Sequence, residues 1–265
     1  MADKPHLSPS TINQYLRCSS QVLFKKTVGP KPPGMALLYG KSTDEAINVD
    51  MEQKITTKKD LGSDELKDAF VDSWDKNKTD TEFHTNDKPD ELREIGIKAI
   101  GRWTDEIAPT IQPKSVQEQL PIQFPGFEYD ILQYSDVITV DNKIIDNKTA
   151  GRSVTTNKES GLLLVPPEHR LQLTMYGLGY EAVHGEEPSS LGLDYSIKTK
   201  EPKMQRAEWT PNKNDKQLAF NLIVGVAEGL DKGVFIPNRN SMICNRRMCG
   251  WWRECEAKYG GTVKK

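Results

Sequence analysis

Two acids and a lysine are the residues whose types and spacing could do chemistry. Asp136 immediately precedes VITVDNKIIDNKTAGR (137–152), and Asp146 and Lys148 fall two apart within that stretch. On a β-strand alternate side chains share a face, so Asp146 and Lys148 point the same way. Asp141-Asn142 reads as the turn of a hairpin joining Tyr129–Val140 to Lys143–Lys148. Pairing about that turn sets Asp136 opposite Asn147, one residue from Asp146. Two carboxylates that close repel each other, and burial adds to the cost. A hard divalent cation such as Mg²⁺ relieves both penalties and keeps exchangeable waters. A lysine beside it can polarise a water and stabilise charge on a phosphate. The trio therefore suits phosphodiester hydrolysis. The same spacing also fits a hairpin whose charged end is merely solvated.

The four cysteines form the second group. Cys244-x4-Cys249-x5-Cys255 lies near the end of the chain and Cys18 near its start. Without a secretory leader, metal binding or plain burial competes better than disulfide formation. His6, His84, His169 and His184 have no ligand spacing and read as structural or surface residues. No glycine-rich phosphate loop appears, so ATP hydrolysis is not expected, and no Ser/His/Asp set can be argued.

The elements that must position these groups follow from periodicity. Ser8-Pro9 reads as an N-cap followed by the first helical residue, opening a helix through Leu23 with Cys18 in or near its end. A second helix begins in MALLYGKSTDEAINVDMEQK. Residues 56–110 look helical and acidic, broken around Lys76–Pro89, and 51–110 is the best candidate for an insertion. The period changes to that of strands at Ser115–Phe124 and in the hairpin. Pro166–His184 then reads as a helix, Leu191–Ile197 and Met204–Trp209 as strands, and Pro211–Leu230 as a helix before the cysteine-rich segment 236–265. Helices and strands in this order imply an α/β core.

Composition narrows the class. The 265 residues are 36% hydrophobic and 28% charged, with a formal net charge of −2. The total hides an asymmetry. Acids outnumber bases over 51–110, whereas 236–265 carries Arg239, Arg246, Arg247, Arg253 and three lysines against two glutamates. That segment is either a basic face able to reach phosphates or a solvated tail. Trp251 and Trp252 read as shielding for the cysteines. The longest apolar runs are too short to span a bilayer, and the opening MADKPHLSPS has no signal-peptide core. A cytoplasmic chain without a membrane partner is expected, of host or viral coding.

Beyond the spacing, IIDNKTA with Asp136 upstream resembles the D…(D/E)xK signature of the PD-(D/E)xK nuclease superfamily, and in particular its RecB-like branch. LSPSTINQYLRC is similar to that branch's opening S-x-S-x-L-x-x-Y-x-x-C helix, LLYGKSTDEAI to its G-x-x-x-H helix, and HRLQLTMYGLGY to its Q-x-x-x-Y helix. The resemblance covers nearly all of the chain outside 51–110. It implies a single domain over 1–265, with a restriction-endonuclease-like mixed central sheet flanked by helices. It implies Asp136 and Asp146 as ligands of Mg²⁺ or Mn²⁺, the Asn147 carbonyl as a further ligand, and Lys148 as the catalytic lysine. Gln172 and Tyr176 would approach the site from their helix, and Glu118 matches a glutamate of the first strand less firmly. Asp44 stands where the branch usually has histidine; it could bind Mg²⁺ or Mn²⁺ through oxygen or be a helix-face acid.

A subset of the branch, including the AddB nuclease domain and CRISPR adaptation nucleases, carries one N-terminal and three C-terminal cysteines on a [4Fe–4S] cluster. Cys18, Cys244, Cys249 and Cys255 fall in those places. The usual tail is closer to C-x2-C-x5-C, so four-cysteine zinc and unliganded thiols stay open. The implied function is a metal-dependent deoxyribonuclease, taken as an exonuclease, acting in recombination, repair or viral DNA processing, with DNA and a recombination or repair protein as partners. The alternatives are a CRISPR-adaptation nuclease and a catalytically weak DNA-binding scaffold stapled by iron–sulfur or zinc.

Overall fold

A computed structural model describes residues 5–124 and 128–264. In chain order the elements are β1 (His6–Leu7), α1 (Pro9–Thr27), α2 (Met35–Thr57), α3 (Ser63–Lys78), α4 (Pro89–Glu106) and a 3-10 turn at Ala108–Thr110. There follow β2 (Pro113–Gln119), β3 (Asp130–Ile131), β4 (Tyr134–Thr139), β5 (Lys143–Ala150) and α5 (Pro167–His184). The chain continues with β6 (Ser190–Ile197), β7 (Lys203–Trp209), α6 (Lys213–Asp231) and α7 (Trp252–Tyr259). It divides into two compact units: one of residues 32–120 and 134–210, the other of 1–31, 121–133 and 211–265. Among the described residues, no helix is long and apolar enough to cross a membrane.

The larger unit is built on a five-stranded mixed sheet in the order β2-β4-β5-β6-β7. Only β5 and β6 run parallel, and α5 makes the crossover between them. Strand alternation divides the core in two. Ile145 and Val137 face the α2–α4 side with Leu38, Tyr39, Phe70, Trp74 and Trp103. Ile144 and Ile138 face α5 with Leu173, Tyr176, Leu191 and Tyr195. Both faces of the central strands are thus covered, so neighbours such as Val137-Ile138 and Ile144-Ile145 are both apolar. Segment 51–110 supplies α3 and α4, whose Leu66, Phe70, Trp74 and Trp103 share one core with β4 and β5.

The helices of this layer meet closely where α4 has a glycine. A Cβ on Gly96 would stand 2.1 Å from Cζ of Phe70, a ring that is fully buried. Gly96→Ala should therefore destabilise the fold by about 1–3 kcal/mol through overpacking, despite alanine's better helix propensity. Urea denaturation checks the sign.

A buried ion pair fixes the sheet's outer strands. Arg206 of β7 grips Asp194 of β6 with two bonds, Nε to Oδ1 at 2.6 Å and Nη2 to Oδ2 at 2.7 Å, and sends Nη1 to Thr110 Oγ1 at 2.9 Å. Asp194 is buried, so the fork satisfies a charge that water cannot reach.

In the smaller unit α1 packs against α6, and β1 pairs in parallel with β3. Ser8 caps α1 by accepting from Thr11 N at 3.2 Å, and Pro9 is its first residue, as the sequence implies. The helix is broken at Cys18, whose backbone is extended.

Candidate active site

The hairpin of β4 and β5 forms the floor of the site. Val137 pairs with Ile145 and Ile138 with Ile144. This corrects the expected register by one residue, because the connection is Val140-Asp141-Asn142 rather than Asp141-Asn142 alone. Asn142 takes the left-handed conformation that closes so short a loop, φ 61°, and donates its N–H to Thr139 O at 2.9 Å. The correction puts Asp136 in line with Asp146 instead of Asn147. Both acids then lie on the α5 face, in step with Ile138 and Ile144.

Asp136 Oδ2 accepts the backbone N–H of Asn147 at 2.7 Å, and Oδ1 accepts Gln117 Nε2 at 3.3 Å. Lys148 Nζ is ion-paired with Asp146 Oδ2. Gln172 Nε2 donates to Asp146 Oδ1 at 3.3 Å and to the Tyr176 hydroxyl at 2.8 Å. The two residues sit one turn apart on α5, so one amide bridges the helix to β5.

Electrostatics mark the cluster as crowded with negative charge. Burial, then Asp136, push the Asp44 carboxyl up to about 8 against the pull of Lys148. Burial, then Asp146, push Asp136 up to about 7. Burial alone would lower the Lys148 pKa, but Asp146, Asp136 and Asp44 outweigh it and hold it above its usual value. Lys148 is therefore an ammonium ion at neutral pH. Burial and the two acids raise the Tyr176 phenol far above its ordinary range, so it stays a neutral hydroxyl. A cleft of ≈ 240 Å³ opens beside these groups, lined by Asp44, Asn147, Lys148, Thr149 and Tyr195 among others.

Asp44 of α2, Asp136, Asp146, Asn147, Lys148, Gln172 and Tyr176 are thus brought together. Glu118 is not. Its carboxylate pairs with His184, at the end of α5, at 2.7 Å, and its strand partner is Ser135 rather than Asp136. The strand residue that reaches Asp136 is its neighbour Gln117, in a left-handed conformation with φ 51°. Sequence gives no β2–β4 register, so the choice between 117 and 118 was not available from spacing. His169, read from the sequence as a structural or surface residue, forms an i, i+3, i+7 stripe on α5 with Gln172 and Tyr176, a spacing the sequence already contains. Its Nδ1 lies 2.7 Å from the hydroxyl of Tyr195, the residue paired with Lys148. Burial, then Lys148, lower the His169 pKa.

The cysteines gather in the smaller unit. Cys18, Cys244, Cys249 and Cys255 line one cavity of ≈ 350 Å³, together with Gln21, Phe24 and Trp251. Asn238 N donates to Cys18 Sγ at 3.4 Å, and Gln21 Nε2 to Cys249 Sγ at 3.5 Å. Burial raises the Cys244 and Cys255 thiols. Among the described residues no group of three or more His, Cys, Asp or Glu stands in an arrangement that could hold a metal ion. In the acid cluster Asp136 is engaged by Asn147 and Gln117, and Asp146 by Lys148 and Gln172. The donor chemistry still fits a hard dication, since the groups are carboxylate oxygens gathered in a buried place. Four thiols on one cavity likewise fit a soft centre.

A family model for the PD-(D/E)XK nuclease superfamily matches residues 6–256. The chain belongs to this superfamily. In this PD-(D/E)XK sheet Asp136 lies on β4, and Asp146 and Lys148 lie on the adjacent β5. A solved structure named "Putative exonuclease" from Eubacterium rectale aligns with a TM-score of 0.64 at 15% identity, covering 100% of this chain and 91% of that one. The likeness places this PD-(D/E)XK chain in the restriction-endonuclease-like fold. A second structure, SSO0001, aligns at a TM-score of 0.42 and 12% identity over 99% of this chain and 90% of that one, too low to carry an argument. No curated protein sequence matches the chain.

Proposed function

We propose that this PD-(D/E)XK chain is a metal-dependent deoxyribonuclease of the RecB-like branch, acting as an exonuclease. The observation that carries the reading is the convergence of Asp44, Asp136 and Asp146 on Lys148, with Asp44 and Asp136 driven toward protonation by burial and then by neighbouring acids. Asp44, Asp136, Asp146 and the Asn147 carbonyl are the groups that would hold Mg²⁺ or Mn²⁺. When bound, that ion supplies Lewis-acid stabilisation of charge on the scissile phosphate and a more acidic water. Lys148, already protonated, orients a water and balances negative charge on phosphate oxygen. It does not act as a base. Gln172 holds Asp146 in place and ties it to Tyr176, whose neutral hydroxyl can donate to the substrate. The biological setting, whether recombination, repair, viral DNA processing or CRISPR adaptation, follows from the family likeness alone and not from any residue of the site.

Incubation of linear DNA with the protein and Mn²⁺ tests the reading. Degradation should stop with EDTA and with Asp136→Asn. Absence of turnover together with tight, salt-sensitive binding would favour the scaffold alternative.

We also propose that Cys18, Cys244, Cys249 and Cys255 hold a [4Fe–4S] cluster. Support comes from their shared cavity and from two N–H donors already aimed at sulfur, a feature that tunes such centres. Anaerobically purified protein should be brown, with broad absorbance near ~400 nm and about four irons per chain. Stoichiometric zinc in colourless protein would sink the proposal.

A further inference from the structure

Between β5 and α5 the chain doubles back. Thr156 and Leu163 form an antiparallel bridge. Asn157 N donates to Leu162 O at 2.8 Å, and Leu164 N to Thr155 O at 2.8 Å. The Asn157 side chain closes the tip by accepting Glu159 N at 2.8 Å and Ser160 N at 3.2 Å. The result is a small ordered hairpin that directly follows the strand carrying Asp146 and Lys148.

This hairpin is fastened near the site. Val154 N donates to Gln205 Oε1 at 2.8 Å, and Val154 and Leu163 pack on the α5-side core. Gln205 pairs with Tyr195, and Tyr195 with Lys148. The anchor therefore lies in the same transverse row as Lys148, two strands or roughly 10 Å away and on the same face. The alternation that turns Leu163 inward turns Leu162 and Leu164 outward, where they are 70% and 40% exposed. Arg152 and Lys158 are exposed on the same segment, and Glu159 is its acid.

An anchored hairpin holding bare leucines beside two cations matches a ligand with apolar faces and phosphate charges. We propose that Leu162 and Leu164 pack against nucleobases lifted out of the stack in the strand held at Lys148, while Arg152 and Lys158 meet its phosphates. Apolar side chains act on bases in this way when they hold a step open, and phosphate contacts supply the sequence-independent part of affinity. The inference rests on the nuclease reading and adds a base-contacting element to it.

A cycle between protein and substrate tests it. Binding is read by fluorescence anisotropy at fixed salt in the Lys148→Ala protein, so that nothing is cut. The probes are a short single-stranded oligonucleotide and a strand of the same length made of abasic sites. The parent should bind the normal strand roughly tenfold more tightly than the abasic one. With Leu162→Ser and Leu164→Ser added, that preference should shrink to under about twofold, leaving abasic affinity unchanged. Arg152→Ala with Lys158→Ala should weaken both strands alike and flatten the salt dependence. A leucine variant that loses equally on both strands, or on neither, overturns the proposal. Cleavage by the protein with Lys148 intact separates the two readings. If DNA is cut with Mn²⁺ but the cycle shows no coupling, the hairpin inference alone fails; if nothing is cut, the nuclease reading fails first.

Discussion

Lys148→Ala should reduce metal-dependent DNA cleavage by about 10³-fold or more, the scale seen when one preorganised charge-stabilising donor is removed. The ammonium is held close to Asp146 by an ion pair, and three acids keep its pKa above the ordinary lysine value. It is therefore charged throughout the pH range of any assay. Its removal takes a fixed positive charge from the site rather than a titrating base, so the pH profile of the residual activity should keep its shape. Lys148→Arg keeps the charge but replaces a compact ammonium with a planar fork, and should recover only a small part of the rate. The control is folding: Lys148 lies at the edge of the sheet's cleft, and circular dichroism of the variant should match the parent. A well-folded Lys148→Ala protein with parental activity would remove Lys148 from the mechanism.

Without divalent cations, stability should fall as pH rises from about 4 to about 8, and added Mn²⁺ should restore it at the alkaline end. Asp44 and Asp136 hold their protons in the folded chain up to about 8 and about 7, against the ordinary aspartate value of 3.8 in the unfolded chain. The folded state thus binds more protons than the unfolded state across that window, and stability must decrease with pH there. Below pH ~4 both states are protonated and no penalty exists; above the folded values the full penalty is present. After allowance for solvent screening we expect roughly 2–4 kcal/mol from the pair, read as the fall in the urea midpoint between pH 5 and pH 8.5 in EDTA. Asp44→Asn removes one of the two groups. It should make the metal-free protein more stable than the parent at pH 8.5, leave pH 4 unchanged, and weaken the Mn²⁺ effect. Cation binding should also release protons, most strongly just below pH 7, because bound ligands must be deprotonated. A parent whose EDTA and Mn²⁺ curves coincide at pH 8.5 would show that the acids do not gather an ion.

Which candidate groups share a face was legible because it depends on local spacing. Asp146 and Lys148 share a face whatever surrounds them, since a strand alternates by two. Gln172 and Tyr176 share a face because a helix repeats near four. The caps and breaks of the helices, such as Ser8-Pro9 and the interruption around Lys76–Pro89, are equally local and stand where the residues put them. The four cysteines reach one cavity although Cys18 lies far from the others in sequence.

Long-range register was not legible. One extra residue in the Val140–Asn142 loop moved Asp136 from Asn147 to Asp146, and so decided whether two carboxylates confront each other. The β2–β4 pairing set Glu118 against Ser135 and left Gln117, in its left-handed conformation, to reach Asp136. The place of 51–110 was likewise tertiary: an acidic helical stretch reads as an insertion, but Phe70, Trp74 and Trp103 bury themselves against the sheet that carries the acids. The sequence by itself determined which groups could react, through periodicities that act over a few residues. Only the folded chain decided which of them meet, because pairing register and helix placement depend on loop length and on apolar burial between segments distant in sequence.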